Sequence, residues 1–335
     1  MKTFFKPGFW PKLIIGLLLL TQFALAIFAF VYLSTYSQKH ATLFGVILAL
    51  TFFLNVVLSS YIINSSSPDA YRIVWIWVVN CLPLLGALMY IVFANKQTSK
   101  RKKALVNRYI KPLEKEESEK KAIELLSSFY PKYLPLSNFL FSTRGGGIFD
   151  HTSVSYFPLG DLILDPILYE LKKARHYIFI EFFIIEKNGF FWDQIHKVLL
   201  EKVKEGVDIR IIYDDVGSIS VAPINFDKQL ISEGIKCHKF NPFRPLIDVR
   251  QNNRDHRKMI IIDGHTAFTG GFNIADEYIN RINRFGHWKD NGILLKGKAV
   301  TSLTMMFLSN YVFNYSPKEN IDKKYYSSST YISQI

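Results

Sequence analysis

The sequence predicts an α/β fold preceded by transmembrane helices. Three observations support this. Strand-like and helix-like segments alternate between residues 161 and 311, the pattern of an α/β sandwich with a largely parallel sheet. The hydrophobic fraction of 49% is concentrated in three apolar runs within the first ninety-odd residues. The stretch Asp255-His256-Arg257-Lys258-Met259-Ile260-Ile261-Ile262-Asp263-Gly264, followed by Gly270-Gly271-Phe272-Asn273, reads as one strand–turn–strand unit carrying several reactive groups.

The apolar runs cover residues 13–32, 43–63 and 73–94, each close to the ~20 residues that span a bilayer as a helix. The polar segment Asn64-Ser65-Ser66-Ser67-Pro68-Asp69 separates the last two. Pro83 and Gly86 lie inside the third, where membrane helices tolerate them. Lys96, Lys100, Arg101, Lys102 and Lys103 follow it, so the positive-inside rule puts the rest of the chain on the cytoplasmic side of a multi-pass cell-membrane protein. The excess of 41 Lys+Arg over 28 Asp+Glu, a net +13, suits an anionic membrane surface or nucleic acid. The apolar N-terminus favours the membrane, and no nucleic-acid partner is expected. Two cysteines, Cys81 and Cys237, make no disulfide framework and fit a reducing compartment.

The expected organisation is a membrane region over 1–95, a charged connector over 96–140, a folded domain over 141–315 and a polar tail over 316–335. Within the domain, helices are expected over 161–175, 192–205, 226–233 and 299–311. Strands are expected over 177–184, 207–213, 235–240 and 291–295, besides the pair in the strand–turn–strand unit.

His256 and Lys258 are two apart and share a face of an extended segment. A neutral imidazole can attack phosphorus and form a covalent phosphohistidine. A fixed ammonium and amide, Lys258 and Asn273, would stabilise the charge shifting onto the non-bridging oxygens. Asp263 could orient an imidazole, as a carboxylate does in a triad. Gly270 and Gly271 have no Cβ and let backbone come close to a ligand. No His/Cys cluster or carboxylate set has metal-ligand spacing, so a mechanism without metal or cofactor is preferred.

The order His256-x-Lys258-x4-Asp263-x6-Gly270-Gly271-x-Asn273 resembles the HKD motif of the phospholipase D superfamily. Asn253-Arg254-Asp255-His256-Arg257-Lys258, Asn273-Ile274-Ala275-Asp276-Glu277-Tyr278, Phe285-Gly286-His287-Trp288-Lys289-Asp290 and Asp214-Asp215-x-Gly217-Ser218 are similar to the bacterial cardiolipin synthases of that superfamily. The resemblance implies a phospholipase D-like α/β sandwich half. It also implies a phosphatidyltransferase that joins two phosphatidylglycerol molecules into cardiolipin and glycerol at the membrane. By motif position, His256 is the nucleophile or its acid/base partner, and Lys258, Asn273, Gly270 and Gly271 bind phosphate. Asp263 supports the site, and Glu277 and Glu181 are candidates for orienting the histidine.

The family carries two such motifs, and this chain has one. His287-Trp288-Lys289 lacks the aspartate and the Gly-Gly-x-Asn that would follow. Two expectations result. Either the chain is a partial synthase whose second half lies beyond residue 335, which is preferred, or it is a single-motif phosphodiesterase that completes its site as a homodimer across a two-fold axis. An inactive membrane protein is the third reading.

Overall fold

The computed structural model describes residues 49–65, 67–82, 85–94, 117–142, 147–243 and 253–314, with the isolated positions 24, 27, 28, 31, 32, 35 and 46. The chain divides into two compact units, Met1–Asn95 and Lys96–Ile335.

In the first unit residues 49–63 are helical (α1), followed by α2 (Asp69–Cys81) and α3 (Leu85–Phe93). Pro68 caps α2, and Asp69 in its first turn pairs with Arg72. Within the run 73–94, expected as a single span, one helix instead ends at Cys81 and another begins at Leu85. The sequence reason is Pro83, which supplies no N–H and crowds the preceding turn. The chain then folds back. Tyr71 Oη donates to Ala94 O at 3.2 Å, and the Trp75 and Tyr90 rings meet edge-on at 5.4 Å. A Cβ on Gly86 would lie 2.2 Å from Val78 O, so only glycine permits this approach. At ~1.5 Å per residue, helices of 13 and 9 residues reach well short of a ~30 Å hydrocarbon core. Among the described residues no helix is long and apolar enough to cross a membrane. Most of the expected span 13–32 and the start of 43–63 lie outside the described residues, as do 95–116 and the tail from 315.

The second unit begins with α4 (Glu117–Phe129), a 3-10 turn at Pro131–Tyr133 and α5 (Leu134–Ser142). Its centre is a seven-stranded sheet: β1 (Thr152–Phe157), β2 (Tyr177–Phe182), β3 (Asp208–Asp214), β4 (Lys236–Phe240), β5 (Met259–Ile262), β6 (Thr266–Gly270) and β7 (Gly292–Gly297), in the order β1-β7-β6-β5-β2-β3-β4. The helices α6 (Leu164–Lys172), α7 (Phe190–Lys204), α8 (Phe226–Ser232) and α9 (Val300–Asn314) flank it.

The sheet is mixed, not largely parallel. Only β2–β3 and β3–β4 are parallel pairs; the other four pairs are antiparallel. Parallel pairing needs a crossover element, which α7 and α8 provide. The Asp263–His265 turn between β5 and β6 is too short for one, and no α-helix intervenes between β6 and β7. Strand β1 was not anticipated: its alternation is confined to Ser153-Val154-Ser155-Tyr156, too short a run to stand out, and four of its six residues are exposed.

Alternation along β2 divides the core into two layers. Ile178, Ile180 and Phe182 pack with Ile167, Leu171, Phe191, Ile195 and Leu230 beneath α6, α7 and α8. Tyr177 and Phe179 face the other side, where Phe307, Leu308 and Tyr311 of α9 cover them. Each such buried side chain contributes about 1.5–3 kcal/mol relative to exposure. The three parallel strands consequently end at the same edge of a rigid slab, and β5 begins there.

Candidate active site

Strand β5 runs antiparallel to β2 with Met259 opposite Glu181, so the segment before it reaches the edge where β2 and β3 end. Asp214, the fully buried last residue of β3, holds that segment. Its Oδ2 accepts the Asp255 amide at 3.1 Å. Its Oδ1 accepts the Val216 and Gly217 amides, each at 2.9 Å, and Arg254 Nη1 at 3.2 Å. Three residues beyond Asp214, the turn closes on Phe183. A Cβ on Gly217 would fall 2.2 Å from Phe183 O. Ser218 Oγ donates to that oxygen at 3.3 Å and accepts the Ile185 amide at 3.2 Å.

Phe183 so fixed is the floor on which the motif residues meet. The His256 ring lies 4.8 Å from the Phe183 ring, and Lys258 Nζ lies 5.5 Å from the same ring. His256 is exposed, while Lys258 is 5% exposed. Lys258 Nζ sits 3.0 Å from His256 Nδ1 and donates to His256 O at 2.8 Å. Burial lowers the Lys258 pKa, against the attraction of Asp290 and Asp255. Thr269 on β6 donates to Lys258 O at 2.7 Å and sets the register of the lysine. Asn273 is buried, and its Oδ1 accepts the Ile184 amide at 3.1 Å, one residue from Phe183. Its side chain also hydrogen-bonds Tyr278, whose hydroxyl burial pushes up.

Three sequence-based assignments need correction. Asp263 lies at the far end of β5, away from His256. Its carboxylate accepts the amides of Arg175, His176 and Tyr177 at 2.8, 2.9 and 2.8 Å. It therefore locks the start of β2 and does not orient the imidazole. Gly270 and Gly271 do not form an open phosphate cradle. A Cβ on Gly270 would meet Asn291 O at 2.4 Å, and one on Gly271 would meet Asp290 Oδ1 at 2.0 Å. Gly270 admits the chain's own backbone at the entrance to β7, and Gly271 admits the Asp290 side chain. Glu277 and Glu181 make no bond to His256 among the described residues. Glu277 sits buried in the 3-10 turn Asp276–Ile279 with Arg284 Nη1 at 3.9 Å, and Glu181 belongs to a buried cluster beneath the site.

Asp290 was missed as a site residue. The Trp288 indole donates to its Oδ2 at 3.4 Å, and Trp288 rests against Tyr278 and Phe285 at 5.2 and 5.7 Å. Asn280, left-handed at φ 53°, staples this loop by accepting the Trp288 amide at 2.6 Å and donating to Trp288 O at 2.9 Å. Asp290 thereby faces Lys258 as a fixed countercharge. Neither residue spacing nor hydrophobic periodicity reveals a countercharge that a nineteen-residue excursion brings back.

Fold and site together define a phospholipase D-like domain. Residues 167–302 match the family described as "Cardiolipin synthase, PLD-like domain", and residues 53–95 match "Phospholipase D-nuclease N-terminal". An uncharacterized protein of Streptococcus mutans is 36% identical over 74% of this chain and 54% of its own length. Cardiolipin synthase 1 of Staphylococcus aureus is 30% identical over 87% of this chain and 61% of its own. Among solved structures, the phospholipase D family member Nuc from Salmonella typhimurium aligns with a TM-score of 0.36 and 20% identity, over 50% of this chain and 98% of that one. Residues 167–302 thus form a phospholipase D-like domain, and the chain is similar to the bacterial cardiolipin synthases. It spans little more than half the length of these curated relatives.

Proposed function

We propose that the chain supplies one half of a phosphatidyl-transfer site that makes cardiolipin from two molecules of phosphatidylglycerol. The observation carrying this reading is His256 itself: exposed, seated on Phe183 and bonded through Nδ1 to a buried lysine at 3.0 Å. Holding Nδ1 leaves Nε2 facing outward. While Lys258 Nζ donates to Nδ1, the neutral ring carries its proton on Nε2 and can give it to a leaving alkoxide; when the ammonium turns to a non-bridging oxygen, Nδ1 can hold the ring proton and the Nε2 lone pair attacks phosphorus. Lys258 and Asn273 neutralise the non-bridging oxygens in either role.

In the first step a His256 Nε2–P bond forms and the P–O bond to glycerol breaks. A second acid protonates the departing alkoxide. In the second step a hydroxyl of another phosphatidylglycerol attacks phosphorus, its proton passes to that same group, and the N–P bond breaks. One phosphodiester replaces another, so no nucleotide is consumed. The second acid/base comes from another HKD half or from a second copy of the chain. The chain's place is the cell membrane. The exposed apolar side chains of the first unit, among them Phe52, Trp77 and Ile91, support lipid contact, as does the basic stretch Lys100–Lys103.

The experiment is mass spectrometry of phosphatidylglycerol vesicles incubated with the chain, with and without its second-half counterpart. Cardiolipin supports transfer, phosphatidic acid indicates hydrolysis, and unchanged product levels for H256A would remove His256 from the reaction.

A further inference from the structure

Beneath His256 lies a buried cluster to which the proposed reaction assigns no task. It joins Glu181 of β2, Asp255 and Arg257 on either side of His256, and Asn310 of α9. Glu181 is fully buried, and Asp255 and Asn310 are each 5% exposed. Asn310 Nδ2 donates to Glu181 Oε1 at 2.9 Å and to Asp255 Oδ2 at 2.7 Å. Arg257 Nε lies 2.9 Å from Glu181 Oε1 and 2.9 Å from Asp255 Oδ1. The Arg257 amide also donates to Asp255 Oδ1 at 3.2 Å. Two carboxyls therefore share one guanidinium and one amide.

The donors are unequally divided. Glu181 Oε2 is buried and accepts from no donor among the described residues. Asn310 Nδ2 and Arg257 Nε each bridge the two carboxyls, which brings Glu181 and Asp255 side by side. The other charges near the cluster engage Asp255 from outside. Asp214 takes its amide, Arg254 pairs with Asp214, and Lys258 attracts it at longer range. A second buried anion on Glu181 would be both orphaned and repelled by Asp255. As a neutral acid, Glu181 sets no second anion beside Asp255, and the donor-less Oε2 carries the proton.

We infer that Glu181 and Asp255 hold one proton between them, resident on Glu181, and that this acid–carboxylate pair, clamped by Arg257 and Asn310, is the positioning device for His256. The assignment of a positioning role rests on the reading of His256 as the reacting group. The clamp acts on both neighbours of the histidine, so it fixes the backbone from which the ring projects and ties it to α9. Burial and the bond to Asp255 raise the Glu181 pKa well above its usual range. Burial alone would raise that of Asp255, but the bonds from Glu181 and Arg257 outweigh it and hold it low. The signs define a window. A raised folded-state pKa gives Glu181 a contribution that is complete below about 4.3 and lost as pH rises through its folded value. For Asp255, lowered, the contribution is present above about 3.9 and lost on acidification.

Infrared spectroscopy of the full chain tests this directly. At about pH 6, where an ordinary glutamate is ionised, the wild type should show a carboxylic-acid C=O stretch that titrates away on alkalisation and is missing from E181Q. In thermal unfolding, E181Q, which is similar in shape and neutral at every pH, should gain on the wild type as pH rises from about 5 to about 9. In the vesicle assay, the alkaline fall in kcat should move to higher pH in E181Q while KM stays put, and D255N should lose kcat. Absence of the band in the wild type, or parallel unfolding curves for the two proteins, would overturn the shared proton. A kcat profile in E181Q that coincides with the wild type would overturn the positioning role. The first two readouts need no turnover, so a chain that transfers nothing would overturn the proposed function alone.

Discussion

The Asp255 amide donates to Asp214 Oδ2 at 3.1 Å, linking the end of β3 to the residue before His256 across forty-one positions of sequence. The same carboxylate caps the Val216–Gly217 turn that presses on Phe183. One buried side chain therefore places both the histidine segment and the floor beneath it.

D214N keeps the size of this residue but exchanges a charged acceptor for a neutral one that also carries two donors. Bonds to charged groups are worth about 1.5–3 kcal/mol each, and an NH2 facing N–H groups repels them. The variant should lose roughly 3 kcal/mol of stability. Urea unfolding would show a lower midpoint, and the folded fraction should turn over lipid poorly because the His256 segment is released.

The two glycines of the motif should respond differently to alanine. In G270A the new Cβ meets backbone, Asn291 O and the Gly292 Cα, which a packed strand cannot move. In G271A it meets the tip of Asp290, a side chain that can rotate away from Lys258. G270A should therefore lower the unfolding temperature more, whereas G271A should reduce kcat at nearly normal stability. Calorimetry and the vesicle assay on both variants check the reversal.

Legibility in the sequence followed chain separation. The buried strands β2, β3 and β5 and the helices α6 to α9 show in periodicity, because each has one apolar stripe or an apolar run of its own. His256, Lys258 and Asn273 show because one stretch of eighteen residues, built on a single hairpin, holds all three. Asp263 misled: its spacing from Lys258 is regular, but a four-residue strand carries it to the opposite end of the sheet. The pairing of Asp214 with Asp255, the approach of Asp290 to Lys258 and the bonds from Asn310 to Glu181 depend on which strands become neighbours. No local pattern contains that. The mixed sheet was hidden for the same reason, since strand direction is a property of connections.

For Asp263 the structural role predicts a separation of stability from chemistry. D263A removes the carboxylate that accepts three amides at the head of β2 and puts alanine at φ 51°, a conformation it resists. About 2–4 kcal/mol should be lost. The pH profile of kcat in the folded fraction should coincide with that of the wild type; a displaced profile would restore Asp263 to the chemistry.

Lys258 is the opposite case, a residue whose chemistry costs stability. Its folded-state pKa lies below 10.5 chiefly through burial. The charged form is therefore penalised in the fold at every pH below that folded value, and the penalty is relieved as pH rises through it toward the unfolded value. K258M, similar in length and uncharged, should unfold at an equal or higher temperature near neutral pH and transfer no phosphatidyl group. The advantage of the variant should shrink on alkalisation.

His238 should account for part of the acid sensitivity of the domain. On β4 its Nε2 meets Tyr311 Oη of α9 at 3.1 Å, and the two rings pack at 4.8 Å. Burial, with Arg210 adding to it against Asp227, lowers its pKa from 6.5 to about 4. The fold thus holds the neutral ring, while the unfolded chain takes up a proton below 6.5. Stability should fall as pH drops from 6.5 toward about 4 and stop falling on this account once the folded form also protonates. H238Q can still bond Tyr311 but cannot charge. Its thermal unfolding between about pH 7 and about pH 4 should be flatter than that of the wild type, and equal slopes would place the acid sensitivity elsewhere.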